Sequence, residues 1–155
     1  MRRPHLFGLA GTYRFARLSP APIDVAEPLT YMNRSGAVLA ELLERFGTPP
    51  SRLIVVTDNL DLPAGITRLK RRGGAASHNG LKSVTAALGS DDYPRLYIGI
   101  GHPGDSERVI EHVLSAPAGK EAEMIERGVV RAAETVLQLP VIGFDQAMHE
   151  LNRKE

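Results

Sequence analysis

The stretch LIVVTD, residues 53–58, is a continuous run of four apolar residues that ends in a hydroxyl and a carboxylate. A short unbroken apolar run predicts a buried strand, and it places Asp58 at the carboxyl end of that strand. A second run, RLYIGI at residues 95–100, has the same character and is closed by Gly101 and Pro103. These runs are the first indication of an α/β fold.

The remaining elements follow from periodicity and from turn residues. Apolar residues at three- and four-residue spacing predict a helix over residues 34–46. By the same reasoning we expect helices over residues 80–88 and 120–137, a helix capped by Asp105 or Ser106 that ends at Leu114, and a short terminal helix over residues 146–152 after Pro140.

Residues 6–18 predict a strand pair broken by glycines, residues 66–70 predict another strand, and the proline-containing residues 19–28 predict a loop or an edge strand. Strands alternating with helices predict a three-layer α/β/α sandwich around a mixed, largely parallel sheet. We expect a single domain over residues 1–155, because no linker or repeat divides the chain.

Composition limits the classes of function. The chain of 155 residues has no cysteine, which excludes disulfides and cysteine-ligated zinc. No apolar stretch is long enough to cross a bilayer and no signal-peptide core follows Met1, so we expect a cytoplasmic protein. The formal charge of +1 means that any binding of nucleic acid must come from a local basic patch.

Three polar clusters interrupt the scaffold, at residues 28–36, 57–65 and 73–82. Each lies at the end of an apolar segment or at the start of a predicted helix. Ligands in open α/β sheets bind beyond the carboxyl ends of the strands, and this placement allows the three clusters to share one cleft.

Taken singly, these residues also have structural interpretations. Asn33 and Asn79 are suited to capping helices, and Asp58 is suited to closing a turn. His78 alone is typical of a hydrogen-bonded structural histidine, and Lys70 is typical of a solvated lysine at a strand end.

Together the clusters match a family pattern. The sequence reads P-x-T-Y-M-N-x-S-G at residues 28–36, D-x-L-D-L-P-x-G at 58–65, H-N-G-L-K-S at 78–83, R-L-x-I-G-I-G-x-P at 95–103 and an altered A-M-N-x-x-N at 147–152. In order and content these motifs resemble the bacterial peptidyl-tRNA hydrolase family, which cleaves the ester joining a stalled peptide to tRNA. The resemblance extends from about residue 6 to the C-terminus.

The resemblance implies a role for each candidate. Asn33 and Asn79 match residues that hold the peptide and the terminal adenosine region of the substrate. Asp58 matches the carboxylate that hydrogen-bonds a catalytic histidine and makes it a better base for activating water. This role is chemically sound, because a carboxylate partner fixes the imidazole tautomer and favours its protonated form.

The substrate-binding set implied by the resemblance also includes Met32, which packs beside the site, and His78. Lys70 matches a lysine that contacts the 5′-phosphate of tRNA. The expected partner is therefore tRNA or peptidyl-tRNA. We expect no cofactor and no metal, because the sequence has no convincing ligand cluster and ester hydrolysis by this route needs only water.

The sequence departs from the family pattern at two places. The family begins with G-L-G-N-P-G followed by T-R-H-N, which supplies the catalytic histidine, and nothing here matches that segment. We therefore interpret the chain as lacking the family's first strand and helix, and none of the histidines at 5, 78, 102, 112 and 149 is an obvious substitute. A family arginine that helps to bind the 5′-phosphate falls at Tyr97.

The alternatives remain open at this point. The chain is either a weak or inactive peptidyl-tRNA hydrolase or a non-catalytic relative that binds tRNA or another RNA. A third alternative is a start codon that lies upstream of Met1. A sheet that lacks a strand exposes backbone groups and apolar surface, so we expect a homo-oligomer or a partner that covers this surface.

Overall fold

The computed structural model describes residues 6–153, with side chains from residue 11 onward. It divides into two compact units, one formed by Met1–Leu53 and Arg71–Pro94 and the other by Ile54–Lys70 and Arg95–Glu155. A single domain over residues 1–155 stays a prediction, and each unit is described by itself.

The first unit contains strands β1 (Leu6–Ala10), β2 (Tyr13–Leu18) and β3 (Ile23–Pro28), a 3₁₀-helix (Met32–Val38), helix α1 (Leu39–Phe46), a 3₁₀ turn (Pro50–Arg52) and helix α2 (Asn79–Leu88). The strands form an antiparallel sheet in the order β1–β2–β3. The expected strand pair is thus confirmed, and the proline-containing segment after it forms the edge strand β3.

Tyr13 and Arg45 connect this sheet to helix α1. The buried Tyr13 hydroxyl donates a hydrogen bond to Oε1 of Glu41 at 3.1 Å and accepts one from Nε of Arg45 at 2.8 Å. The Arg45 guanidinium also lies 5.2 Å from the ring centroid of Phe15. The hydrogen bond to Tyr13 and then the bond to Glu41 raise the pKa of Arg45. Arg45 therefore stays charged while it covers the aromatic rings of β2.

Gly36 and Ser83 mark a close crossing of the 3₁₀-helix and α2. The Gly36 amide donates a hydrogen bond to Oγ of Ser83 at 2.9 Å, and a Cβ atom on Gly36 would lie 2.2 Å from the Ser83 carbonyl oxygen. Only glycine permits this approach, so it holds the second half of the 3₁₀-helix against α2.

The second unit contains strands β4 (Val55–Asn59), β5 (Thr67–Lys70) and β6 (Arg95–Gly99), a 3₁₀ turn (Ser106–Arg108) and helices α3 (Val109–Leu114), α4 (Gly119–Ile142) and α5 (Phe144–Asn152). The strand order is β4–β6–β5, with β4 parallel and β5 antiparallel to β6. The α/β class with a mixed sheet is therefore confirmed. Its core combines strand and helix residues, namely Leu69, Leu96, Ala132, Ala147 and Leu151.

Two boundaries differ from the sequence prediction. Strand β4 begins at Val55 instead of Leu53 and continues to Asn59, so Asp58 lies near its carboxyl end, as expected. Helix α4 continues through Pro140, which lies in its last turn, and ends only at Ile142. Gly143, with φ of 79°, ends the helix and donates its amide hydrogen to the Leu139 carbonyl at 3.0 Å. Across residues 6–153, no helix has the length and apolarity needed to cross a membrane.

Candidate functional site

Both units contribute candidate residues. The first unit carries Met32, Asn33, His78 and Asn79, and the second carries Asp58 and Lys70.

Met32 and Asn33 are the first two residues of the 3₁₀-helix. The N-cap position belongs to Tyr31, whose side chain makes no capping hydrogen bond. The interpretation of Asn33 as a helix cap is therefore wrong, because Asn33 is the second residue of the 3₁₀-helix and its side chain is exposed to solvent. Its exposed amide is accessible to a ligand.

His78 is the N-cap residue of α2, and its Nδ1 accepts a hydrogen bond from the Leu81 amide at 3.2 Å. Since Nδ1 is the acceptor, a neutral ring carries its proton on Nε2. The interpretation of Asn79 as a helix cap is also wrong, because the imidazole of His78 already caps α2. Asn79 is instead the first helical residue and is exposed.

Met32 and His78 converge on Gly80. A Cβ atom on Gly80 would lie 2.9 Å from Cε1 of His78 and 3.0 Å from Cγ of Met32. The absence of a side chain at Gly80 therefore lets the thioether and the imidazole pack against the start of α2. Met32 remains 43% exposed, which leaves part of its soft apolar side chain available for contact with a ligand.

Asp58 lies near the carboxyl end of β4, opposite Ile98 of β6, and is half-buried. The next residue, Asn59, organises the chain that follows: its Oδ1 accepts hydrogen bonds from the amides of Asp61 at 2.8 Å and Leu62 at 3.0 Å. This is an Asx turn, which the sequence analysis missed although an Asn at a strand end is its usual signal.

The loop after Asp58 is also bonded to the end of β6. The Gly65 amide donates to the Gly99 carbonyl at 2.9 Å, and the Gly99 amide donates to the Ile66 carbonyl at 2.7 Å. A Cβ atom on Gly99 would lie 2.1 Å from the Pro63 carbonyl oxygen. The far end of the loop, at residues 63–66, is therefore held against the end of β6.

The buried face of helix α4 packs against the same loop. A Cβ atom on Gly128 would lie 2.5 Å from the Gly65 carbonyl oxygen, and one on Gly65 would lie 2.1 Å from the Met124 carbonyl oxygen. Two glycines thus allow the backbones of the loop and the helix to touch.

Lys70 is the last residue of β5 and pairs with Arg95, whereas Asp58 pairs with Ile98. Arg95 and Ile98 are three positions apart on β6, and side chains alternate between the faces of a strand. Asp58 and Lys70 therefore lie on opposite faces of the sheet and towards opposite ends of β6. The Nζ atom of Lys70 lies 5.8 Å from the ring centroid of Tyr97.

Two of the other described histidines have structural contacts. Nδ1 of His102 accepts a hydrogen bond from the Gly104 amide at 3.0 Å. Nε2 of His112 lies 2.9 Å from the Ile100 carbonyl oxygen and 3.1 Å from that of Gly101, so it is the protonated nitrogen. His149 is exposed on α5, and residue 5 lies outside the described range. The described part of the chain contains no group of three or more His, Cys, Asp or Glu side chains suited to a metal ion.

Comparison with known proteins gives a consistent match. A family model described as peptidyl-tRNA hydrolase matches residues 7–155. Similar curated proteins are the peptidyl-tRNA hydrolases of Methylobacillus flagellatus, 40% identical over 96% of this chain and 75% of the relative, and of Halorhodospira halophila, 41% identical over 83% of this chain and 66% of the relative. The chain thus matches about two thirds to three quarters of the length of these relatives.

Solved structures agree. The crystal structure of peptidyl-tRNA hydrolase from Acinetobacter baumannii has a TM-score of 0.81 and 31% identity, and the match covers 97% of this chain and 80% of that one. A complex of peptidyl-tRNA hydrolase with N-propanol has a TM-score of 0.86 and 30% identity over 97% of this chain and 79% of the other.

Proposed function

Because the chain belongs to the peptidyl-tRNA hydrolase family, we propose that it hydrolyses the ester that joins a peptide to the 3′ end of tRNA. The observation that carries this proposal is Asp58, a half-buried carboxylate near the carboxyl end of β4. The hydrogen-bonded loop after Asp58 supports it in a fixed position. A preorganised carboxylate of this kind suits the orientation of a base or of a water molecule.

The proposed reaction needs only water as co-substrate. The water oxygen attacks the ester carbonyl carbon and gives up a proton to a base that Asp58 orients directly or through a second water. The carbonyl oxygen becomes an oxyanion, and its collapse breaks the bond between the acyl carbon and the ribose oxygen, which takes the proton that the base holds. The carboxylic acid formed then releases its remaining proton to solvent. The products are a peptide with a free carboxylate and a tRNA with a free terminal hydroxyl.

The exposed amides of Asn33 and Asn79 are assigned to substrate binding. A side-chain amide donates hydrogen bonds to a carbonyl oxygen, and such bonds strengthen as negative charge grows on that oxygen. Met32 and His78, which pack together at Gly80, provide an apolar and a polar surface for the same substrate. Asn79 additionally lies in the first turn of α2, where the helix dipole favours negative charge.

Lys70 is assigned to the tRNA and not to the ester. It is exposed, and its ammonium is a point charge suited to a phosphate. Lys70 and Asp58 lie on opposite faces of the sheet, which supports separate roles for them. A large substrate such as tRNA offers a phosphate well away from its reacting ester.

Turnover is expected to be slow. General-base catalysis contributes about 10²–10⁴-fold, and the sequence has no match to the family's histidine motif. The contacts that His78, His102 and His112 make with backbone groups support a second candidate function, a non-catalytic protein that binds tRNA or another RNA. Under either function the chain acts in the cytoplasm, where peptidyl-tRNA is produced.

Single-turnover cleavage of an N-acetylated aminoacyl-tRNA tests the proposal. We expect the wild-type chain to release the acyl group faster than buffer does, and Asp58→Asn to lose this acceleration. Asp61→Asn is the matched control, because Asp61 is an exposed carboxylate three residues further along and should be dispensable. Binding of tRNA without any cleavage would favour the second candidate, and cleavage that survives Asp58→Asn would refute the role of Asp58.

A further inference from the structure

The inference concerns the sheet face that carries Lys70. Paired residues of a sheet point to the same side, so the register places Arg68 beside Tyr97 and Lys70 beside Arg95 on one face. The partners of Arg95 and Tyr97 on β4 are Val55 and Thr57. No carboxylate lies on this face of β4, β5 or β6, whereas three cations do.

Only one of these cations is well placed for a ligand. Arg95 is 0% exposed, and the half-buried Arg68 donates from Nη1 to the Thr67 carbonyl at 2.8 Å. Lys70 is exposed, and its Nζ atom lies 5.8 Å from the centre of the Tyr97 ring. An ammonium within about 6 Å of an aromatic face is attracted by the ring quadrupole.

Tyr97 is itself buried. Its side chain is 7% exposed and it occupies the central strand of the sheet. A lysine side chain in solution samples many rotamers and loses this freedom when it binds an anion. A fixed ring restricts the ammonium before the anion arrives, and the N–H donors that point away from the ring stay free for phosphate oxygens.

We propose that Tyr97 is a positioning residue that holds Lys70 as a single-charge anchor for the 5′-terminal phosphate of tRNA. The proposal rests on the proposed function, since it names how that site recognises one end of its RNA. The resemblance places an arginine that helps to bind the 5′-phosphate at position 97, where this chain has a tyrosine. The ordered charge of Lys70 therefore takes the place of two charges.

Equilibrium binding of uncharged tRNA, with and without its 5′-phosphate, tests this proposal. The wild type should prefer the phosphorylated tRNA. Tyr97→Phe keeps the aromatic face and should keep the preference, whereas Tyr97→Leu should reduce it by about two- to fivefold, the size expected of an exposed cation–π contact. In a Lys70→Met background, Tyr97→Leu should cause no further loss. Lys120→Met removes an exposed lysine of α4 and is the control for charge alone.

Four results would overturn the anchor. One is an unchanged preference in Tyr97→Leu, and another is an equal loss for both tRNAs, which would show a structural role only. A wild type that binds both tRNAs equally well refutes the anchor but leaves the hydrolase proposal intact, whereas failure to bind either tRNA refutes both.

An NMR measurement on the wild type avoids dependence on the folding of Tyr97→Leu. The ring current of Tyr97 should shift the ε-methylene protons of Lys70 upfield of those of Lys120. Equal shifts for the two lysines would contradict the contact on which the anchor depends.

Discussion

The side-chain amide of Asn152 makes with Leu69 both hydrogen bonds that a neighbouring strand would make. Its Oδ1 accepts from the Leu69 amide at 2.9 Å, and its Nδ2 donates to the Leu69 carbonyl at 2.8 Å. Strand β5 is at the edge of its sheet, so Asn152 satisfies an edge that would otherwise lack a partner at this residue. The last residue of α5 thus fixes the backbone immediately before Lys70.

Asn152→Ala should destabilise the protein by about 2–4 kcal/mol, because it leaves an amide and a carbonyl without partners at a residue that is 1% exposed. Urea unfolding measures this change. Gln146→Ala is the control: it removes an exposed hydrogen bond to Glu150 on the same helix and should change stability by less than about 0.5 kcal/mol. Equal effects of the two substitutions would contradict the importance of the Asn152–Leu69 pair.

Gly128→Ala should also be destabilising, by about 1–3 kcal/mol. In an exposed helix the same change stabilises the protein by about 1 kcal/mol. The sign of the change in unfolding free energy therefore distinguishes a tightly packed glycine from an exposed one. The reason is the Gly65 carbonyl oxygen, which lies 2.5 Å from the new Cβ atom and forces the loop after Asp58 to move. Thermal unfolding gives the sign, with Glu126→Ala on the exposed face of α4 as a nearly neutral control. A stabilised Gly128→Ala variant would refute the close contact.

Lys70→Met should weaken tRNA binding and make it less sensitive to salt. A lysine that contacts a phosphate releases about one counterion, so the slope of log K against log salt should fall by about one. Binding titrations between low and moderate salt measure the slope. Lys120→Met should leave the slope unchanged, and an unchanged slope in Lys70→Met would exclude a phosphate contact.

Homo-oligomerisation stays a prediction, and light scattering checks it. The expected result is a mass that is a multiple of 16.8 kDa and that falls on dilution. A mass of one chain at the highest concentration reached would contradict the expectation.

The sequence predicted the elements that are defined locally. Continuous apolar runs indicated β4 and β6, and helical spacing indicated α2 and α4, because each pattern is contained within a few turns or a few residues. It did not identify His78 as the cap of α2, since Asn is the commoner capping residue and the neighbouring Asn79 satisfied the pattern equally well.

Contacts between residues that are far apart along the chain could not be predicted from the sequence. Asn152 and Leu69 are 83 residues apart, and the pairing of Lys70 with the Tyr97 ring depends on the register of two strands. The Asx turn at Asn59 is different, because it is local and its signal was present in the sequence. The glycine contact between Gly65 and Gly128 depends on the packing of α4, which a periodic apolar pattern alone does not define.

The most direct test of the central claim is hydrolysis of N-acetylated aminoacyl-tRNA in ¹⁸O-labelled water, with the released acid analysed by mass spectrometry. We predict that the wild-type chain accelerates release, that the label enters the carboxylate of the released acid, and that the terminal ribose hydroxyl of the tRNA stays unlabelled. Release no faster than in buffer, or label in the tRNA, would contradict the assignment of this chain as an ester hydrolase.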